Sequence, residues 1–118
     1  MPSRRVLVVD DHRPYHESVG ELLERGGFEV VGAAFDGWQA LDECRRLTPD
    51  VVLLDVQLPG LDGFEVAERL AQHEPRPAVV LISARDAVTY GDRVRRAPVA
   101  GFLEKRDVSG AALGLLLR

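Results

Sequence analysis

Carboxylates follow two apolar runs of this chain at the points where each run ends. Asp10 and Asp11 come directly after Arg5-Val6-Leu7-Val8-Val9, and Asp55 comes directly after Val51-Val52-Leu53-Leu54. A short apolar run bounded by turn signals is typical of a strand that is covered on both faces of a parallel sheet. Because open α/β sheets form their sites at the carboxyl ends of strands, these acidic residues are candidates for chemistry. A single carboxylate at such a position can equally be ordinary loop sequence.

Two further predicted strands end near polar residues of complementary chemistry. Ser83 follows the apolar run 78–82, and Lys105 follows the short run 99–104. Taken singly, Ser83 fits a strand cap and Lys105 fits a surface lysine. Four strand ends that each carry a group suited to phosphoryl chemistry are a far more specific signal than any one of them.

The combination of these side chains predicts a metal-dependent phosphoryl acceptor. Three carboxylates in one crevice repel one another unless a cation lies between them or their pKa values rise. Oxygen ligands without cysteine suit Mg²⁺, which typically binds one or two carboxylates, a carbonyl, waters and a phosphate oxygen. With Asp10 and Asp11 holding the metal, Asp55 would attack phosphorus and form an aspartyl phosphate. Lys105 would neutralise charge on the phosphoryl group, and Ser83 would offer it a hydroxyl.

The elements that must position these residues alternate along the chain. We predict five strands, at 5–9, 28–34, 51–55, 78–82 and 99–104. Helices are predicted between them and after them, beginning near Pro14, Gly37, Gly63, Ala87 and Gly110. This alternation implies parallel strands joined by right-handed crossovers, with helices on both faces. Five strands fit the doubly wound, flavodoxin-like order 2-1-3-4-5, which would bring Asp10, Asp11 and Asp55 into one crevice.

Helical spacing predicts which side chains of the first three helices face the core. We expect these to be Tyr15, Val19, Leu22 and Leu23, then Trp38, Leu41, Cys44 and Leu47, then Phe64, Ala67, Leu70 and Ala71. Ser109 is the predicted cap of the final helix, from Gly110 to Leu117.

The segment from Ala87 to Arg96 is the weakest predicted helix. Only Val88, Tyr90 and Val94 are bulky and apolar within it, and Gly91 interrupts it. A glycine inside a helix costs about 1 kcal/mol relative to alanine. The three arginines of this segment are expected to form a solvated face: Arg93, Arg95 and Arg96.

Composition limits the class of protein. The 118 residues are 46% hydrophobic, which suits one domain with a real core, residues 1–118, and no apolar run approaches a membrane span. Residues 1–5 lead into a strand without a signal-peptide hydrophobic region. Cys44 is the single cysteine, so no intramolecular disulfide can form, and we expect a cytoplasmic protein. The net charge of −4 argues against nucleic-acid binding by this domain.

With these residues in view, the chain resembles the receiver domains of two-component response regulators over essentially its whole length. The segments that carry the resemblance are Val8-Val9-Asp10-Asp11, Leu53-Leu54-Asp55, Leu58-Pro59-Gly60-Leu61-Asp62-Gly63, Ile82-Ser83-Ala84 and Phe102-Leu103-Glu104-Lys105. Their order and spacing suit the family, and together they are highly specific. The Asp-Asp-His opening also resembles the branch whose members usually carry a helix-turn-helix DNA-binding domain after the receiver.

The resemblance implies Mg²⁺-dependent transfer of a phosphoryl group to Asp55 from a histidine kinase or a phosphotransfer protein. Asp11 would ligate the metal directly, Asp10 directly or through water, and Asp55 and the backbone carbonyl of Gln57 would complete the protein ligands. Ser83 would move toward the phosphoryl group and let the aromatic residue Phe102 turn inward. This change would reshape the face formed by the fourth helix, the fifth strand and the last helix, through which such domains can pair as homodimers. The protein would be a phosphoacceptor that controls transcription, not a turnover enzyme.

Other readings of the same residues remain open. A haloacid-dehalogenase-type phosphatase has a second aspartate two positions after its nucleophile, where this chain has His12 and Gln57. A flavodoxin would need a neutral phosphate loop, and Asp10-Asp11 would repel that phosphate. A receiver-like fold that acts only as a binding module is the more serious rival. The sequence ends at Arg118, so we expect either a stand-alone receiver or a fragment of a longer protein.

Overall fold

The computed structural model describes residues 3–118, which contain one five-stranded parallel sheet. The strands are β1 (Arg5–Val9), β2 (Glu29–Ala34), β3 (Val51–Asp55), β4 (Ala78–Ser83) and β5 (Gly101–Glu104). Their order in the sheet is β2-β1-β3-β4-β5, and every pairing is parallel. The predicted flavodoxin-like topology is therefore confirmed, with the central strand β3 between β1 and β4.

The helices alternate with the strands as predicted, but the fourth is split. They are α1 (Arg13–Arg25), α2 (Gly37–Leu47), α3 (Gly63–Leu70), α4 (Ala87–Tyr90), α5 (Asp92–Arg96) and α6 (Gly110–Leu116). A single 3₁₀ turn (Lys105–Asp107) follows β5. The side chain of Ser109 accepts a hydrogen bond from the Ala112 amide, so Ser109 caps the last helix as predicted.

Two buried clusters cover the two faces of the sheet. On one face, side chains of α2 and α3 pack against residues of β1, β3 and β4 such as Leu7, Leu54 and Leu81. On the other face, α1 and α6 pack against the alternate strand residues, such as Leu53 and Ile82. All of these strand residues are 0% exposed, which explains why the strands are continuous apolar runs. Among helices of residues 3–118, none is long and apolar enough to cross a membrane.

Two large side chains predicted to face the core are instead exposed, since Trp38 is 55% exposed and Leu22 is 44% exposed. Val88, in the weakest predicted helix, is 86% exposed. Trp38 lies in the first turn of α2 and packs on the surface, where the Arg69 guanidinium lies 5.1 Å from its ring. Helical spacing defines a stripe of residues, but it does not fix how far the sheet beneath extends. Ala71, predicted to be the last inward-facing residue of the third helix, is instead the C-cap of α3 and is only half-buried.

The break in the fourth helical segment occurs at Gly91. Its φ of 57° and ψ of −133° lie outside the helical region, and α4 and α5 end and begin on either side of it. Gly91 therefore breaks the segment into two helices and is not a glycine inside a helix, so a gain in helix stability on replacement by alanine does not apply. Neither α4 nor α5 has a fully buried residue.

Candidate functional site

Three carboxylates meet at the carboxyl ends of β1 and β3. One oxygen from each of Asp10, Asp11 and Asp55 lies within 4.8 Å of the others. Asp10 is 0% exposed and Asp55 is 4% exposed, whereas Asp11 faces solvent. The neighbouring positions of β1 and β3 in the sheet produce this convergence. The structure therefore brings together the acidic residues that the sequence singled out.

Asp55 is held by groups from two other parts of the chain. Its Oδ1 accepts a hydrogen bond of 3.2 Å from the Gln57 amide, and its Oδ2 accepts one of 3.3 Å from Lys105 Nζ. Helix α3 begins directly against this strand end, since a Cβ atom on Gly63 would overlap the Asp55 carbonyl oxygen. The side chains of Asp62 and Glu65 form a capping box that fixes the start of α3. The loop from 56 to 62 is thereby anchored at both ends.

Asp10 is buried beneath the other two carboxylates and is fixed by three neighbours. Its Oδ1 accepts a hydrogen bond of 2.8 Å from the His12 amide. Its Oδ2 has no aligned hydrogen bond within residues 3–118, but Lys105 Nζ forms an ion pair with it at 2.5 Å. The Nε2 atom of His16 lies 2.6 Å from the Asp10 carbonyl oxygen, so the ring holds the chain at the end of β1. The buried carboxylate is therefore held in place at the end of β1.

The electrostatics of the crevice follow from this burial. Burial, and then the nearby Asp10 charge, raise the pKa of Asp55 to about 6, although Lys105 and the Gln57 amide oppose the rise. Burial alone would lower the pKa of Lys105, but its contacts with Asp10 and Asp55 outweigh this effect and raise it. Lys105 is thus a firmly charged ammonium group between two buried carboxylates. At neutral pH the single lysine leaves the cluster with an excess of negative charge.

The donor set fits a hard divalent cation. All three converging side chains offer carboxylate oxygens, and the cluster contains neither sulfur nor imidazole ligands. Asp11 is exposed and makes no hydrogen bond or ion pair through its side chain with the rest of the described chain. Asp11 and Gln57 also line one open cavity beside the cluster, so the backbone of Gln57 lies at the same crevice. These features suit an ion of the Mg²⁺ type.

Ser83 lies at the next strand end but bonds in another direction. Its side chain is completely buried, and its Oγ lies 2.6 Å from the Tyr90 hydroxyl and accepts a hydrogen bond of 3.1 Å from the Arg85 amide. No hydrogen bond joins Ser83 to Asp55 among the residues described. Phe102 is half-buried on β5, and its ring centroid lies 6.1 Å from that of Tyr90. Tyr90 therefore stands between the two residues expected to act as the switch.

Sequence reasoning missed three side chains near the site. Tyr15 packs against the core as predicted, and in addition Lys105 Nζ lies 5.0 Å from its ring centroid. Burial, and then the Asp10 charge, raise the pKa of the Tyr15 hydroxyl. Tyr90 was counted only as an apolar anchor, because spacing cannot show where a hydroxyl points. Arg93 is exposed, as expected, but helical spacing does not indicate that it forms an ion pair of 3.1 Å with Asp62 and lies 4.2 Å from the Phe64 ring.

Comparison with known proteins identifies the class. Residues 6–111 match the family model of the response regulator receiver domain. This match covers most of the chain, and the fold and the acidic cluster agree with it. The chain belongs to the response regulator receiver domain family.

Proteins similar to this chain include longer proteins and a solved receiver domain. The chain is 41% identical over 102 residues to the Mycobacterium tuberculosis protein named as transcriptional regulatory protein NarL, covering 86% of this chain and 47% of that protein. It is 46% identical over 101 residues to protein-glutamate methylesterase/protein-glutamine glutaminase 6 of Anaeromyxobacter dehalogenans, covering 85% of this chain and 26% of that protein. The solved receiver domain of Mycobacterium tuberculosis NarL superposes with a TM-score of 0.86 at 36% identity, over 99% of this chain and 98% of that one. The chain spans about half the length of the first curated relatives that it matches.

Proposed function

We propose that this protein accepts a phosphoryl group on Asp55 and uses it as a conformational signal in a two-component pathway. The observation that carries the proposal is the arrangement around Asp55: a nearly buried carboxylate with Lys105 on one oxygen and two further carboxylates within 4.8 Å. Lys105 is shared by Asp10 and Asp55, so three carboxylates face one lysine. A bound cation would balance the remaining repulsion among them.

The transfer step forms a bond between an Asp55 carboxylate oxygen and phosphorus. The bond from phosphorus to the donor breaks at the same time, and the donor leaves with that electron pair. The donor is a phosphohistidine of a sensor kinase or phosphotransfer protein. Because the pKa of Asp55 is about 6, most Asp55 side chains are ionised and nucleophilic at neutral pH. Lys105 stays charged beside the reacting oxygen and offsets the charge of the phosphoryl group.

We assign the cation site to Asp10, Asp11, Asp55 and the backbone carbonyl of Gln57. Mg²⁺ bound there would screen the carboxylates and draw a phosphoryl oxygen toward Asp55. Asp11 is the exposed member and is free to ligate the ion directly. Asp10 is already engaged by the His12 amide and Lys105, which suits a contact made through water.

The signal is then carried by Ser83 and Phe102 to the face formed by α4, α5, β5 and α6. The phosphoryl group adds a charge of about −1.5 to −2 at the end of β3, beside the strand that ends in Ser83. Nearly complete switching needs about 5.5 kcal/mol of differential stabilisation. A few charge-assisted hydrogen bonds of about 1.5–3 kcal/mol each are enough to supply it. The same face is the proposed site of homodimer formation.

The proposed output is the control of transcription through another domain or partner. The NarL relative supports this, since it is named for transcriptional regulation and is about twice as long as this chain. The negative net charge suits a domain that does not itself bind nucleic acid. We propose that the domain acts as a cytoplasmic phosphoacceptor with slow self-hydrolysis rather than as a turnover enzyme.

The proposal is tested by intact mass measurement after incubation with acetyl phosphate. With Mg²⁺ present, the protein should gain the mass of one phosphoryl group, and chelation of the metal should prevent the gain. Asp55→Asn should gain nothing, whereas Asp42→Asn, an exposed carboxylate on α2, should behave like the wild type. A wild-type protein that never gains the mass would instead favour a binding module that acts without phosphorylation.

A further inference from the structure

The hydroxyl of Ser83 is already engaged by a residue that the proposed switch does not use. Its Oγ lies 2.6 Å from the hydroxyl of Tyr90, the last residue of α4. Ser83 is 0% exposed, so its hydroxyl depends on protein partners, which are Tyr90 and the Arg85 amide. Loss of a hydrogen-bond partner by a buried hydroxyl costs stability. The contact is therefore a specific property of the resting conformation.

The direction of the Ser83 side chain follows from strand alternation. Leu81 packs with the cluster under α2 and α3, and Ile82 packs with the cluster under α1 and α6. Successive strand residues point to opposite faces, so Ser83 lies on the same face as Leu81 and Tyr90. Asp55 pairs in register with Ile82, and its nearest cation, Lys105, lies over Tyr15 of α1. Ser83 must therefore turn away from Tyr90 to reach a group on Asp55.

The same tyrosine anchors a segment, formed by α4 and α5, in which no residue is fully buried. The Tyr90 ring lies 5.7 Å from the Phe64 ring of α3 and 6.1 Å from the Phe102 ring of β5. Its hydroxyl forms the side-chain hydrogen bond that joins α4 to β4. Loss of this bond would loosen α4 and leave the Tyr90 ring contacts to hold the space beside Phe102.

We propose that Tyr90 is a positioning residue that latches the Ser83 hydroxyl in the unphosphorylated state. Phosphorylation at Asp55 breaks the latch, because the phosphoryl oxygen takes the Ser83 hydroxyl from Tyr90. Release of α4 and the inward turn of Phe102 are then consequences of one exchanged hydrogen bond. This inference rests on the proposed phosphorylation of Asp55. It adds Tyr90 as the residue whose hydrogen bond to Ser83 opposes the active conformation.

The test compares binding of beryllofluoride with Mg²⁺, a phosphoryl mimic, to the wild type and to Tyr90→Phe. The substitution keeps the ring contacts with Phe64 and Phe102 and removes only the hydroxyl. In the variant, Ser83 no longer has to break a hydrogen bond with Tyr90 before it can reach the mimic. The variant should therefore bind the mimic roughly two- to tenfold more tightly. In a Ser83→Ala background, the same substitution should change the affinity by less than about twofold, since the partner hydroxyl is gone.

Thr89→Val is the matched control on the same helix. Its hydroxyl bonds to Asp86 at 3.0 Å and not to Ser83, so its loss weakens α4 without touching the latch. The control should bind the mimic as the wild type does. The Arg85 amide, which donates to Ser83 Oγ, gives a direct reporter: its chemical shift should change in Tyr90→Phe without ligand and in the wild type with ligand.

Each outcome decides a separate point. Equal affinity in Tyr90→Phe and the wild type would overturn the latch, and weaker affinity would mean that Tyr90 instead aligns Ser83 for the phosphoryl group. A wild type that fails to bind the mimic would refute the proposed function itself. If Tyr90→Phe does not fold, the wild type still tests the latch, because contacts between the Tyr90 ring protons and the Ser83 methylene should weaken when the mimic binds. Persistence of these contacts in the bound state would contradict the inference.

Discussion

Replacement of Asp55 by asparagine should stabilise this protein at neutral pH, although it removes the proposed functional group. Asp55 is 4% exposed and lies beside the completely buried Asp10, with Lys105 as their shared cation. Burial and the Asp10 charge both disfavour the ionised form. Asparagine has nearly the same shape and carries no charge. The substitution therefore removes the free-energy cost of burying an ionised carboxylate beside Asp10.

The size of the effect follows from the pKa. The Asp55 pKa rises from an ordinary value of 3.8 to about 6, so the folded state binds more protons than the unfolded state between these values. Stability is then lost as the pH rises from about 4 to about 6, and the loss is complete above the folded pKa. The full shift corresponds to about 3 kcal/mol. The exposed Asp11 shows that solvent reaches this crevice and screens its charges. We therefore expect Asp55→Asn to raise the free energy of unfolding by about 1–2 kcal/mol at neutral pH.

The assay is urea unfolding of metal-free protein at pH 7.5 and at pH 4. Asp55→Asn should be more stable than the wild type at pH 7.5, and the difference should nearly vanish at pH 4. Asp42→Asn is the control, because its carboxylate is exposed and its removal should leave the pH dependence unchanged. If Asp55→Asn is less stable than the wild type at pH 7.5, or if the difference is equal at both pH values, the electrostatic account is wrong.

The fourth helical segment provides two further predictions. Gly91→Ala should destabilise the protein by about 1–2 kcal/mol in urea unfolding, because its φ of 57° suits glycine, while Gly20→Ala in α1, where nothing lies within 4 Å, should stabilise it by about 0.5–1 kcal/mol. A gain of stability in Gly91→Ala would show that the break at Gly91 is not formed. Residues 85–98 should show the least protection from hydrogen exchange of any internal segment and gain protection with beryllofluoride, since α4 and α5 bury no residue fully. Exchange there as slow as in residues 51–54 would refute this prediction.

Much of the fold followed from local patterns. The apolar runs predicted all five strands, and the alternation with helices predicted the order that the sheet adopts. The same topology explains why Asp10, Asp11, Asp55 and Lys105 were found together: each was placed at a strand end, and parallel strands end at one edge. These predictions depended on periodicity and topology alone.

Contacts between distant side chains could not be predicted in this way. Trp38 has the spacing of a core residue, but tertiary packing places it on the surface beside Arg69. Tyr90 was expected to be a weak apolar anchor, and only the packing of α4 against β4 reveals its bond with Ser83. Gly91 has the sequence context of a helix interior, and its positive φ becomes visible only in the folded backbone. For Trp38 and Tyr90 the outcome depends on the neighbour across space and not on the residue's own segment.

The central claim is that Asp55 itself carries the phosphoryl group, and reductive trapping tests it most directly. After reaction with acetyl phosphate and Mg²⁺, borohydride converts an acyl phosphate of aspartate into homoserine, which tandem mass spectrometry locates by residue. We predict homoserine at position 55 and unmodified aspartate at positions 10, 11 and 62. Homoserine at any of those three positions, with intact Asp55, would contradict the account.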